Sequence, residues 1–178
     1  MARTWIALLR GVNVGGAHKL NMKELAALLT SEGLSNVRTY IQSGNVVFEA
    51  DDEDDERALS NRISRVIERA SGFRPGVHIL TEEALRQAMD ANPFPEATSE
   101  PSRLHLFFLM GQPDRPDFEC LRSLQSPTER FELKEGVLYL HAPDGIGRSK
   151  LAASIGRCLR VEMTARNLRT VKKLSELV

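Results

Sequence analysis

The chain has 178 residues, 42% of them hydrophobic and 27% charged, which is ordinary for a globular protein. Its 24 basic and 24 acidic side chains cancel, and this argues against a protein that coats DNA regardless of sequence. The N-terminal apolar run "WIALL" is too short for a signal-peptide core or a membrane span, so we expect no membrane partner.

The first 81 residues show the element order βαββαβ. "TWIALLRG" is typical of a buried strand, and a helix follows, with Asn21 as its N-cap and Glu24 completing a capping box. "VRTYIQSGNVVFEA" predicts two strands joined by a tight turn at Ser43–Gly44. A second helix from about Asp54 and the strand "VHIL" complete the order.

The same order returns after a linking helix and the proline-rich connector "NPFPEATSEPSR". "HLFFLM" predicts a strand, "RFELKEGVLYLHA" a hairpin, "SKLAASIGRCL" a helix and "VEMT" a last strand, and we expect a terminal helix over Arg166–Val178. The fold class is therefore α+β, with two ferredoxin-like units at 1–81 and 104–178, joined by a linking helix and connector at 82–103.

Two predicted strands, Trp5–Leu9 and His105–Leu109, carry apolar side chains at successive rather than alternate positions. A strand with one face in water should alternate, so we expect both strands to be buried on both faces. This disfavours an open sheet surface on which single-stranded bases stack.

The cysteines and histidines predict neither a disulfide framework nor a metal site. Cys120 and Cys158 are far apart and lack CxxC spacing, which favours a reducing compartment and hence a cytoplasmic protein. The four histidines have no metal-ligand spacing, and no pattern indicates a cofactor.

The stretch "RGVNVGGAHKLNMKE", residues 10–24, combines glycines with cations just before a helix. It is not a Walker A loop, because Ala17 and His18 stand where Lys and Ser or Thr are required. Glycines nevertheless let backbone amides approach an anion, and a helix N-terminus attracts one. The alternative is a structural turn with solvated cations.

Topology adds a second segment to this candidate site. In a βαββαβ unit with antiparallel neighbours, the first β–α loop and the first hairpin turn lie at the same end of the sheet. We therefore predict one anion-binding pocket there, although the polar side chains of the turn could instead serve only its own backbone. Its predicted residues are Arg10, Asn13, Gly15, Gly16, Lys19, Gln42, Ser43 and Asn45.

A second basic cluster lies near the C-terminus, where residues 145–178 carry eight basic and two acidic side chains. We add Lys150, Arg166, Asn167 and Arg169 to the candidate anion-binding residues. Arg166 and Arg169, three apart on the predicted helix, suit bidentate contact with phosphate or carboxylate. The alternative is an ordinary solvated helix face.

Several of these stretches resemble the domain-of-unknown-function family 1697. They are "LRGVNVGG" followed by Lys19 and Met22, "YIQSGNVVFEA", "NPFP", "SKL" and "TARNLRTVKKL", in order from near residue 4 to near residue 177. The resemblance implies a mainly bacterial protein with a duplicated α+β fold and brings no settled activity. Leu168 stands where the family typically has tryptophan, so no aromatic ring is available there for stacking.

Three functions remain open. The first is a binding module for a phosphate-bearing small molecule or nucleic acid, meaning a nucleotide or a nucleic-acid end. The second is an enzyme acting on a small phosphorylated or carboxylated substrate, with Lys19 or Lys150 as the electrophilic group. The third is a structural or partner-binding protein. No catalytic pair of base and nucleophile is evident, which places the binding module first.

Overall fold

A computed structural model describes the whole chain, Met1–Val178. The chain divides into two compact units, one formed by Met1–Arg86 with Lys173–Val178 and the other by Gln87–Lys172. The sequence-based division at 1–81, 82–103 and 104–178 stays a prediction. None of the helices combines the length and the apolar character that crossing a lipid bilayer requires.

The first unit contains one four-stranded antiparallel sheet in the order β2-β3-β1-β4. Its elements are β1 (Ala2–Arg10), α1 (Met22–Ser31), β2 (Ser35–Tyr40), β3 (Asn45–Asp51), α2 (Glu56–Ser71) and β4 (Gly76–Thr81). The linking helix α3 (Glu82–Asp90) follows directly, and Thr81 Oγ1 accepts the Ala84 amide at its start.

The second unit repeats this arrangement, with a sheet in the order β6-β7-β5-β8. After a 3₁₀ turn at Pro95–Ser99 come β5 (Leu104–Leu109), α4 (Phe118–Leu124), β6 (Arg130–Lys134), β7 (Val137–His141), α5 (Lys150–Leu159) and β8 (Met163–Asn167). The C-terminal helix α6 (Leu168–Leu177) ends the chain. The predicted fold class, two ferredoxin-like units with a linking and a C-terminal helix, is confirmed.

Side-chain caps explain where the helices begin. Asn21 Oδ1 accepts the amides of Lys23 and Glu24 at 3.0 and 3.2 Å, so the predicted N-cap of α1 is present. Ser149 Oγ accepts the Ala152 amide at 3.0 Å at the start of α5. These caps satisfy backbone donors that have no partner inside a helix, and the helices therefore start at defined positions.

Each unit has its own apolar core between its sheet and its helices. In the first, Trp5, Ala7 and Leu9 pack with the buried faces of α1 and α2. The intervening Ile6 and Leu8 are also fully buried, and β5 shows the same continuous burial. The expectation that both strands are buried on both faces is confirmed.

The prediction against a disulfide is wrong. Cys120 on α4 and Cys158 on α5 are joined, with their Cα atoms 5.8 Å apart and 38 positions apart in sequence. Helices α4 and α5 lie side by side on the sheet of the second unit. Sequence spacing misses such a pair because packing of two helices can bring distant residues together.

Two boundaries also differ from the sequence-based expectations. The first hairpin turns through four residues, Ile41–Gly44, rather than through Ser43–Gly44 alone, because Tyr40 pairs with Asn45. At the C-terminus, Arg166 and Asn167 belong to strand β8, so the predicted helix over Arg166–Val178 starts two residues too early. The β-branched and polar residues before Leu168 pair with β5 instead.

Candidate functional site

The loop between β1 and α1 folds back on itself as a miniature hairpin. The Asn13 amide donates to His18 O at 3.0 Å, and the Ala17 amide donates to Val14 O at 3.1 Å. Between them Gly15 and Gly16 have φ angles of 60° and 76°, the left-handed values that a two-residue I′ turn requires. The first role of these glycines is therefore to form the turn.

Asn13 ties this loop to the first hairpin turn. Its Nδ2 donates to Leu20 O at 2.9 Å and to Gln42 O at 2.7 Å, while its Oδ1 accepts the Leu20 amide at 2.8 Å. The β1–α1 loop and the β2–β3 turn thus meet, as the topology predicts. The Asn13 side chain is occupied by these structural hydrogen bonds.

Two other predicted site residues also serve the turn. Asn45 is completely buried, and its Nδ2 donates to Tyr40 O at 3.0 Å and to Ser43 Oγ at 2.9 Å. The Leu9 amide donates to Gly44 O at 2.8 Å, which fastens the turn to β1. The side chains of Ser43 and Asn45 therefore stabilise the turn itself, which is the structural alternative to an anion-binding role.

A cleft of about 570 Å³ opens where the loop, the turn and the N-terminus of α1 meet. It is lined by Asn13, Gly16, Lys19, Leu20, Asn21, Glu24 and Gln42. Its volume falls in the range usual for small-molecule sites, and the cleft is shallow and largely open to solvent. Of the predicted site residues it therefore gathers Asn13, Gly16, Lys19 and Gln42, while Arg10, Gly15, Ser43 and Asn45 lie beside it without lining it.

The cleft combines one unpaired cation and one unpaired backbone donor with one carboxylate. Lys19 is exposed, and its ammonium group makes no hydrogen bond or ion pair within the protein. The Gly16 amide donates to no protein acceptor either. Glu24 also lines the cleft, and its carboxylate opposes the positive charge of Lys19. The Asn21 side chain already accepts hydrogen bonds from two amides at the start of α1. The unpaired ammonium group and the unpaired amide favour an anion as ligand, and the Glu24 carboxylate weakens this preference.

The second basic cluster is dispersed. Lys150 lines a separate cleft of about 600 Å³ at the N-terminus of α5, together with Arg148, Glu129 and Asp144. Arg166 does not line it: its guanidinium is buried and donates to Thr164 Oγ1 and Ala165 O, both at 2.8 Å. Burial lowers the pKa of Arg166 to about 10, so it remains a cation near neutral pH.

The other two residues of this cluster have separate positions. Asn167 Oδ1 accepts the Thr170 amide at 3.0 Å and thereby caps α6. Arg169 is exposed on α6. The structure therefore gives Arg166 and Asn167 structural partners and does not bring them to Lys150.

The structure also has one cleft and one ring contact that the sequence patterns did not indicate. A groove of about 630 Å³ runs between the end of α1 and α2, where Arg62, Arg65 and Arg69 share one helix face with Glu32 opposite. Their spacing of three and four residues was the available signal. At the other end of the unit, His18 stacks on Phe73 with ring centroids 4.6 Å apart, a contact that only the fold reveals.

The structure contains no cluster of three or more His, Cys, Asp or Glu side chains arranged to hold a metal ion. Two histidines have unusual titration properties, but both lie in strands rather than in a cleft. Burial lowers the pKa of His78 and that of His105 to about 4, so both are neutral at physiological pH. Glu24 is the carboxylate that faces the first cleft.

The fold and the cleft define a duplicated α+β protein with a glycine-containing basic loop at one end of its first sheet. The chain belongs to DUF1697, a family described as protein of unknown function, whose model matches residues 2–139. It is similar in structure to a conserved bacterial protein from Streptococcus pneumoniae, with a TM-score of 0.72, 21% identity and 99% of each chain covered. At that identity the likeness shows the fold alone. No curated protein matches the sequence.

Proposed function

We propose that this protein is a binding module for a phosphorylated ligand, a nucleotide or a nucleic-acid end, held at the cleft between the β1–α1 loop and the β2–β3 turn. The observation that carries the proposal is Lys19, an exposed ammonium group without a protein partner on the wall of a small-molecule-sized cleft. The unpaired Gly16 amide beside it adds a backbone donor of the kind that phosphate oxygens accept.

Arg10 supports the same preference at longer range. It ends β1 immediately before the loop and is exposed to solvent. Arg10 makes an interaction of its own within the protein, so its charge adds only a long-range preference for an anion, which salt screens beyond about 8–10 Å. We further propose a bacterial origin, for which the family resemblance is the support. The expected cytoplasmic location rested on the absence of a disulfide, and the Cys120–Cys158 bond removes that support.

An enzyme acting on a small phosphorylated or carboxylated substrate is the second candidate, and one observation favours it. Glu24 lines the same cleft as Lys19, so a carboxylate and an ammonium group face one space. Such a pair could transfer a proton to and from a bound substrate. No nucleophile stands between them, and the binding module remains the better supported function.

Titration followed by NMR tests the proposal, with ribose 5-phosphate, AMP, ATP and short oligonucleotides as probes. We expect the Gly16 amide resonance to shift and Lys19→Ala to weaken binding about tenfold, since a charged contact contributes about 1.4 kcal/mol. Lys23→Ala is the matched control, because Lys23 is an exposed lysine four residues on that does not line the cleft. Equal weakening by both variants, or no binding by any probe, would refute the proposal.

A further inference from the structure

Ile41 has a backbone conformation that is unusual for its side chain. It is the first residue of the β2–β3 turn, and its φ angle is 49°, in the left-handed region. A β-branched side chain is the least suited to that region, where Gly, Asn or Asp is usual. Ile41 is also 49% exposed, so burial of its side chain does not offset the strain. The fold therefore does not explain why isoleucine occupies this position.

A second exposed aliphatic residue lies at the same junction. Val14 is 65% exposed, and apart from the N-terminal methionine it and Ile41 are the large hydrophobic residues that the protein exposes. Val14 follows Asn13, and Ile41 precedes Gln42. The Asn13 side chain donates to Gln42 O at 2.7 Å, and both of these residues line the cleft of Lys19. The two exposed aliphatic residues are thus sequence neighbours of residues that line the cleft.

The second unit provides an internal comparison. Its equivalent hairpin turns through Glu135 and Gly136, with φ angles of 49° and 79°. This turn has two residues where the first unit has four, and Gly136 corresponds to Gly44, because Gly44 O and Gly136 O accept the amides of Leu9 and Leu109. No residue of the second hairpin corresponds to Ile41. A ferredoxin-like unit of this chain therefore forms its hairpin without an exposed aliphatic group, and Ile41 is a property of the first unit alone.

We propose that Ile41 and Val14 form the apolar contact for a nucleobase, so that the ligand of the cleft is a nucleotide rather than inorganic phosphate or a sugar phosphate. This inference rests on the proposed function. The phosphate would lie against Lys19 and the Gly16 amide, while the flat face of the base would cover the two aliphatic side chains. Every base has an apolar face, so such contacts are tolerant of base identity.

The size of the patch decides between a base and a protein partner. A stable protein interface buries about 800 Å² on each side, far more than two side chains offer. Two aliphatic side chains offer contact of the size that a single ring system needs, and the cation of the cleft would bind its phosphate. A partner protein would need a larger apolar surface, and no other large hydrophobic side chain except Met1 is exposed.

Ile41→Asn is the decisive variant, because asparagine accepts the left-handed conformation and lacks the aliphatic group. We expect the thermal midpoint to stay equal or rise, while affinity for AMP falls about three- to tenfold and affinity for ribose 5-phosphate stays unchanged, as loss of a few buried methylene groups implies. Ile41→Val, which keeps a β-branched side chain, should resemble the wild type in all three measurements.

The outcomes separate the two proposals. If wild-type protein binds ribose 5-phosphate as tightly as AMP, or if Ile41→Asn leaves their ratio unchanged, the nucleobase contact is wrong and the phosphate site stands. If the wild type binds neither compound nor an oligonucleotide, the proposed function fails and this inference fails with it. A fall in thermal midpoint with Ile41→Asn would show that Ile41 has a structural role instead.

Discussion

At the scale of single residues, Gly44 shows how closely the turn of the first hairpin approaches strand β1. A β-carbon at this position would lie 2.6 Å from Val12 Cγ2 and 2.7 Å from Leu9 Cβ, and the φ angle is 87°. Both the space and the backbone conformation therefore require glycine. Gly44, together with the hydrogen bond from Asn13 to Gln42 O, fixes the position of the β2–β3 turn against the β1–α1 loop and so the wall of the cleft.

Gly44→Ala should lower the free energy of unfolding by about 2–4 kcal/mol, since overpacking adds to left-handed strain. Gly136→Ala is the matched control, because it occupies the corresponding turn of the second unit at φ 79° with nothing within 4 Å. It should cost about 1 kcal/mol, from backbone strain alone. Urea denaturation measures both, and equal losses would contradict the close packing at Gly44.

His105 should make stability depend on pH. It is 9% exposed, its Nδ1 has no hydrogen-bond partner, and burial lowers its pKa from 6.5 to about 4, against a hydrogen bond to the Arg103 backbone that raises it. Between these values the unfolded chain binds a proton that the folded protein does not. The stabilisation is therefore complete above pH 6.5 and is lost as the pH falls to 4, by about 1–3 kcal/mol.

Urea denaturation at pH 7 and pH 4.5 measures this loss. His105→Phe should reduce the difference between the two pH values, because the titrating group is removed. Part of the difference should remain, since burial also lowers the pKa of His78 to about 4. An unchanged difference in the variant would show that His105 is not responsible.

At the scale of elements, the disulfide joins the shortest helix of the chain to a longer one. Helix α4 has seven residues and α5 has ten, and Cys120–Cys158 links them across 38 positions. A helix as short as α4 has little stability of its own and depends on tertiary contacts. The covalent link therefore holds α4 on the sheet of the second unit.

Reduction of this disulfide should lower the free energy of unfolding by about 2–4 kcal/mol, as is usual for a loop of this length. A thermal scan with and without a phosphine reductant measures the effect, and thiol titration of the untreated protein should find no free cysteine. Cys120→Ala is the control, because its thermal midpoint should not respond to the reductant. If wild-type protein were equally indifferent, the link would not contribute to stability.

At the scale of the whole molecule, the balanced charge means that binding of a nucleic acid has to rely on local cations. The chain carries 24 charges of each sign, and the proposed cleft has one unpaired ammonium group. Long-range attraction of a polyanion needs a net positive field, which this chain lacks. Affinity for an oligonucleotide should accordingly depend only weakly on salt.

We expect the logarithm of the association constant to fall by about 0.7–2 for each tenfold rise in salt, which corresponds to one or two phosphate contacts. Fluorescence anisotropy with a labelled single strand measures this slope. Arg65→Ala, in the separate groove on α2, is the control and should leave the slope unchanged. A slope above about 4, or one that Arg65→Ala reduces, would place the nucleic acid on that groove instead.

Much of the fold was predictable because its signals are local. Continuous apolar runs marked β1 and β5, and Asn21 marked the start of α1 through its short polar side chain. The meeting of the β1–α1 loop with the β2–β3 turn followed from the element order. The disulfide and the strand position of Arg166 were not predictable in this way, because they depend on which distant residues packing brings together.

The sequence by itself determined the order of the elements, the two-fold repeat of βαββαβ and the end of the first sheet where a site should lie. Periodicity, capping residues and antiparallel topology suffice for these, since each depends on neighbours along the chain. Only the tertiary structure decided which polar groups stay available there. Asn13 is occupied by hydrogen bonds that include Gln42 O, 29 positions away, and Asn45 by bonds within its own turn, whereas Lys19 keeps an unpaired charge on the wall of the cleft. A side chain's partners depend on packing, and packing is a property of the folded chain as a whole.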